Sequence, residues 1–216
     1  MSEMNELIEE IKEDVRLDQL INFWKKYSNF IIWGLLAIIL ATIAYVVWGH
    51  LNHQKNQKYA AVYEEALRTN DKGESDKAKE ILNSFQNDHD GYKVLASFKK
   101  SHLHNTTQEE RFKIYLEIAE NKKIEAKFRE LSVILLGYEG LETQDPEILV
   151  KHLEPITKGE SAWRDSALEL MGLIAIRQNN LKKAIALLKN LHEDKHALAS
   201  IRSRAMVYLE QTGALN

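Results

Sequence analysis

"LELMGLIAIRQNNLKKAIALLKNL", Leu168 to Leu191, is the stretch that decides the fold. Apolar residues recur at three and four positions on both sides of the polar joint "QNN". That spacing gives two amphipathic helices, and so short a joint makes them antiparallel. Gly172 precedes Ala184 by 12 positions, with Leu168, Met171 and Ala175 on the first helix and Leu188 on the second. Small residues let two helix backbones approach, and large ones fill the gap between them. The pattern predicts a close-packed helical hairpin.

A second stretch, "AVYEEALRTNDKGESDKAKEILNSF" from Ala61 to Phe85, repeats it more weakly: Ala66 and Ala78 are again 12 apart, with Val62 and Leu82 in the matching large positions. Two prolines and nine glycines in 216 residues leave few strand and turn signals. Helices are predicted at about 56–69, 75–87, 91–104, 107–120, 123–140, 146–157, 160–178, 181–192 and 195–211. Asp145 before Pro146, and Thr107 three residues before Glu110, supply helix-start chemistry. Helix pairs recurring at about 34 residues resemble the tetratricopeptide motif. The fold class predicted is all-α, a tetratricopeptide-like helical-hairpin solenoid with another antiparallel helical array as the alternative, the central helices, Thr106 to Leu141, departing from a clean repeat.

Ahead of these helices lies "KKYSNFIIWGLLAIILATIAYVVWGHLNHQKNQK", Lys25 to Lys58, whose centre from Phe30 to Trp48 is 19 residues without a charge. As a helix it reaches about 28 Å, close to the roughly 30 Å hydrocarbon core of a bilayer. Apolar residues cover every face, so no stripe suits a globular surface. Phe30, Trp33, Tyr45 and Trp48 lie toward its ends, where aromatic rings favour the headgroup level. A cleavable export signal would begin with basic residues, whereas seven acids and four bases precede the run. The reading is a single transmembrane helix anchored in the lipid bilayer. Lys25 and Lys26 beside it orient the N-terminus toward the cytoplasm. The predicted organisation is a cytoplasmic tail over 1–29, the transmembrane helix over 30–48, a juxtamembrane linker over 49–55 and the exported repeat domain over 56–216. In the tail, Leu7, Ile8, Ile11, Val15, Leu20, Ile21 and Trp24 fall at helical spacing, which suits either a helix lying on the bilayer or one that docks a partner.

The whole chain holds 29 Lys and Arg against 32 Asp and Glu; subtracting the tail's four and seven leaves 25 of each. A neutral domain lacks the basic stripe of a nucleic-acid binder, so no nucleic-acid partner is expected. The absence of cysteine excludes disulfides and thiolate chemistry and is compatible with an oxidising periplasm.

The block "EDVRLDQLINFWKKYSNFIIWGLLAII", followed by helical repeats that include "YKVLASFKKSHL" and "ITKGESAWRDSALELMGLIAIRQNNLKKAIALLKNL", resembles the ancillary Sec-translocon subunit family of Gram-negative bacteria. Its most specific piece is "DQLINFWKKY" directly before the span. The resemblance implies a single-pass inner-membrane protein with a periplasmic helical domain. Its implied partners are the Sec translocation channel, a membrane-anchored periplasmic prolyl isomerase and newly exported polypeptides, which it would assist in a chaperone-like way. It implies no catalytic residue and no cofactor. An envelope scaffold with no export role would use the same anchor and repeats.

"HEDKH", His192 to His196, fits the zinc-protease pattern H-E-x-x-H, but the repeat register puts Asp194 and Lys195 at a joint, whereas the motif needs both histidines on one helix. "HLNH" at His50 to His53 and "HLH" at His102 to His104 read as solvated polar residues. Asn105 opens an N-x-[ST] acceptor pattern of the kind common by chance. No metal site or enzyme is predicted. In a helix-pair solenoid the first helices line a groove, which makes Glu169, Leu173, Ile176 and Arg177 the candidate groove residues, with packing between repeats the alternative role of Leu173 and Ile176. Tyr92, Phe98, Tyr115, Tyr138 and Trp163 are expected in the core.

Overall fold

The structure is a computed structural model that describes residues 2–87 and 91–213, with side chains described from Ile21 onward apart from Asn22, Ile31, Gln86 and Asn87. The described residues are helical, without strands: α1 Ser2–Asp71, α2 Ser75–Asn83 with a 3₁₀ turn Ser84–Asn87, α3 Gly91–Ser101, α4 Gln108–Glu120, α5 Ala126–Gly140, α6 Pro146–Thr157, α7 Arg164–Arg177, α8 Leu181–Glu193 and α9 Ala199–Gln211. The chain divides into two units, Met1–Tyr59 and Ala60–Asn216.

In the first unit the apolar run lies inside α1, the one helix among the described residues long and apolar enough to cross a membrane. Phe30, Trp33, Tyr45 and Trp48 are all exposed, as are Ile32, Leu36, Ile39, Ile43 and Val47 between them. The hydroxyl of Thr42 donates to the carbonyl of Ile38 at 2.8 Å, so this polar group inside the run is satisfied within its own helix. Phe23 and Tyr27 pack ring to ring at 4.8 Å, with the Lys26 ammonium 5.4 Å from the Tyr27 ring. Residues 49–55, expected as a linker, belong to α1. The side chains of Leu7, Ile8, Ile11, Val15 and Leu20, which carried the amphipathic reading of the tail, lie outside the described side chains.

In the second unit each helix from α2 to α9 packs on the next, and α5 also touches α7 as α7 touches α9. First helices therefore meet first helices, as in a stack of hairpins. Small residues make the stack possible. Ala66, Ser101 and Ala205 are fully buried, and Gly137 and Gly172 are buried with them. They recur every 33 to 36 residues, one per first helix. A Cβ added at Gly172 would sit 2.8 Å from Leu188 Cδ2, which is the close approach predicted for this hairpin. Ala66, Ala78, Leu82 and Ala184 are buried in the same register.

The central helices are regular in architecture, and the structure shows why their sequence hides it. In α5 and α6 the position 12 after Gly137 is the fully buried Leu149, where the first and last of the matching hairpins have Ala78 and Ala184. Gly140, nearly one turn further along α5, makes the space instead: a Cβ there would meet Phe112 at 2.8 Å, Gln144 at 2.9 Å and Leu149 at 3.0 Å. In α3 the small position is Ser101, whose hydroxyl lies 2.9 Å from Tyr115 Oη.

Turn chemistry sets the boundaries. The joints "NDKGES" and "QNN" end their helices alike, with Gly73 at φ 84 and Asn179 at φ 56. The amides of Glu74 and Asn180 reach back five residues to Thr69 and Ala175. Asn180 then caps α8 by accepting from the Lys183 amide. The joints between hairpins are longer than predicted because polar side chains form turns there. Asn121 accepts from Lys123 N, Ser161 from Trp163 N and Asp194 from His196 N. Hence α5, α7 and α9 start at Ala126, Arg164 and Ala199, three to four residues later than the apolar spacing alone suggests. The starts at Thr107 and Asp145 form as predicted, Thr107 in a full capping box with Glu110.

Two outcomes are expected. Gly140→Val destabilises the repeat domain by about 1–3 kcal/mol through overpacking, whereas Gly159→Ala, which meets nothing closer than 3.8 Å, changes urea unfolding by under about 0.5 kcal/mol. The Glu110 carboxyl is held below the ordinary value of 4.5, first by its hydrogen bond from Lys79 and then by the Thr107 amide. Its stabilisation is complete above pH 4.5 and lost as pH falls through the lower folded value. A thermal-unfolding series against pH is accordingly flatter on the acid side for Glu110→Gln than for the native chain.

Candidate protein-interaction surface

The four candidate groove residues lie on one helix, α7, but they do not form one exposed stripe. Glu169 is only 1 % exposed. Ile176 is half-buried against the cluster of Leu188, Leu191, Ile201 and Leu209 between α8 and α9, which is the packing alternative. Leu173 is half-buried, and Arg177 is exposed. Through Nη1, Arg177 donates to the carbonyls of Leu141 at 2.7 Å and Gln144 at 2.6 Å, closing the joint that follows α5.

What organises this face is the charge buried within it. Arg204 of α9 grips Glu169 with both arms, Nε to Oε1 at 2.6 Å and Nη2 to Oε2 at 2.7 Å. Tyr138 of α5 donates its hydroxyl to Oε2 at 3.2 Å. One carboxylate thus ties three successive first helices together, with both of its oxygens satisfied. Burial, then the Glu169 charge, pushes the Tyr138 phenol up to about 12, so it remains a donor throughout the physiological range. The hydrogen bond to Glu169 likewise raises the Arg204 value. Tyr208, one turn along α9, is half-buried.

Tyr138 departs from its expected place in the core: it is 44 % exposed, while Tyr115 is buried and Phe98 and Trp163 pack against the main cluster around Leu136, Leu149 and Leu170. Tyr92 stacks on Phe85 at 6.1 Å. Arg204 was not among the predicted residues. A signal for it exists in the sequence, since Glu169 stands between two leucines on an apolar helix and Arg204 follows 35 residues later, one repeat on.

The histidine motifs resolve by position. Helix α8 ends at Glu193, so His192 is helical and His196 is not; His192 Nδ1 lies 3.2 Å from the Arg202 carbonyl. His50 and His53 face Gln54 and Gln57 on α1 at 3.0 Å each, and His102 folds back to the Phe98 carbonyl. Asn105 donates to Asp76 across the first two hairpins. Among the described residues no group of three or more His, Asp or Glu is placed to hold a metal.

Residues 22–205 match the tetratricopeptide repeat-like domain family, and the chain belongs to that family. Its helical repeats are a protein-interaction fold. No curated protein and no solved structure matches the chain.

Because Glu169 is buried, removing only its partner should cost more than removing both. Arg204→Ala, which leaves Glu169 without its counter-charge, is expected to destabilise the domain by about 2 kcal/mol or more. The double variant Glu169→Met with Arg204→Met recovers most of the loss. Urea unfolding of the four members of the cycle measures the difference.

Proposed function

We propose that this chain is a membrane-anchored protein-interaction module that serves as an ancillary subunit of the Sec protein-export channel and assists newly translocated polypeptides. The observation that carries the anchored reading is the joining of an apolar helix, whose described side chains in the run are exposed, to a repeat domain with its own buried core. The family match begins at residue 22, ahead of the apolar run, so the run and the repeats fall within one match, which supports reading them together. The resemblance of "DQLINFWKKY" to the export subunits supports the choice of partner, with the membrane-anchored prolyl isomerase as a second one. Lys25 and Lys26 support a cytoplasmic N-terminus, and the inner-membrane location with a periplasmic repeat domain is what the resemblance implies.

Co-purification from mild detergent at native expression should bring down the channel subunits. Their absence from crosslinked material would overturn the export role and leave an envelope scaffold. An alkaline phosphatase fused after Asn216 is expected to be active and a reporter that works only in the cytoplasm silent; the reverse pattern would invert the topology.

The anchor should matter for capture. Exporting the chain without residues 1–50, behind a cleavable signal, is expected to leave helicity intact while lowering partner capture by about tenfold or more, since a tether raises effective concentration to the millimolar range. Equal capture by the untethered domain would remove tethering from the mechanism.

A further inference from the structure

We infer that Tyr138 and Arg204 are a preorganised capture point for an extended polypeptide, the tyrosine ring taking an apolar side chain and the arginine a main-chain carbonyl; this rests on the interaction reading above. A buried carboxylate is a costly way to join helices that apolar residues could join, so its consequence at the surface is informative. Glu169 uses Arg204 Nε and one N–H of Nη2. A guanidinium carries five N–H groups; the other three have no partner among the described residues, on a side chain 46 % exposed. The hydroxyl of Tyr138 is tied to the same carboxylate, which fixes a ring that is 44 % exposed. Both side chains therefore present their outward groups with little rotamer freedom left to lose on binding.

The chemistry of the point selects its occupant. Glu169 neutralises Arg204, so the group carries no net charge and has little to attract an acidic ligand over distance. It offers spare N–H donors and an aromatic ring, and its only carboxylate is already occupied. The complement is a neutral acceptor beside an apolar group, which every extended peptide supplies in its carbonyls and side chains. A folded partner has its main-chain carbonyls already paired and supplies few. Tyrosine and arginine are also the residue types that dominate binding energy when held rigidly. Glu169 never touches the peptide; it is a positioning residue.

The test uses the full chain in detergent micelles and a fluorescein-labelled peptide of alternating Phe and Ser, acetylated and amidated so that it carries no terminal charge. Fluorescence anisotropy should show Tyr138→Ala weakening binding by about tenfold, Tyr138→Phe by under about threefold because the ring remains, and Lys189→Ala, on α8, not at all. Glu169→Gln should weaken binding by about fivefold with the helical circular dichroism unchanged, because the fork no longer holds Arg204 in place. Raising salt from 50 to 500 mM should move the affinity by under about twofold, as contacts between neutral partners are barely screened. Should Tyr138→Ala fail to fold, Tyr138→Leu replaces it with the same expected loss. Binding within twofold of the native chain by a folded Tyr138 variant would overturn the inference, as would a steep salt dependence or a preference for a carboxylate-ended peptide. If the native chain ignores the peptide while channel subunits still co-purify, the capture point is wrong and the interaction reading stands; if the peptide binds and the subunits are absent, the reverse holds.

Discussion

Everything in the repeat domain depends on how closely two helix backbones can approach. Gly172 against Leu188 shows the constraint at its plainest, because a single added methyl would overlap the leucine side chain. Once one residue per first helix is small, the facing helix can place a large residue into the gap, and the buried leucines at 149, 153, 170, 188, 191 and 209 follow from that geometry. Each hairpin then leaves a face that only its neighbour can cover, so stability accumulates by stacking and not by a single central core.

Stacking leaves polar groups to be matched between repeats, and they are matched at a nearly constant offset. Lys79 with Glu110, Gln108 with Glu139, Glu130 with Ser161 and Tyr138 with Glu169 are each 31 residues apart. Most of these are part-exposed pairs of small energetic worth, and they act as register marks. Glu169 is different. Its burial makes the position of Arg204 a requirement of folding, so the one interaction that the apolar core could have replaced is the one that fixes a tyrosine and an arginine at the surface.

The hairpins were legible because small and large residues alternate at a spacing that few other folds need, and Thr107 and Asp145 mark their helices with side chains that act locally. What stayed hidden was non-local. The gap served by Gly140 is shared among Phe112, Gln144 and Leu149 from three elements, so no fixed spacing reports it. The repeat register placed Glu169, Leu173, Ile176 and Arg177 on a first helix, yet it carried no information about which positions α9 would cover. A charged residue on an apolar helix, Glu169, fits a surface position equally well, and here it marks a partner one repeat away. Tyr138 was assigned to the core for the converse reason: its hydroxyl is satisfied at the boundary of the domain, which leaves the ring outside.

Charge balance bears on how the domain would meet a partner. With 25 bases and 25 acids beyond the tail, the domain has little field with which to steer a partner, and association without steering is limited by the orientation two surfaces must find. On the proposed reading, confinement beside an export channel replaces steering, because the partner is delivered at high local concentration whatever its charge. Contacts made under those conditions need not be strong. A capture point that donates to main-chain carbonyls suits such a module for a further reason: a chain that folds withdraws those carbonyls into its own hydrogen bonds, so folding itself ends the interaction.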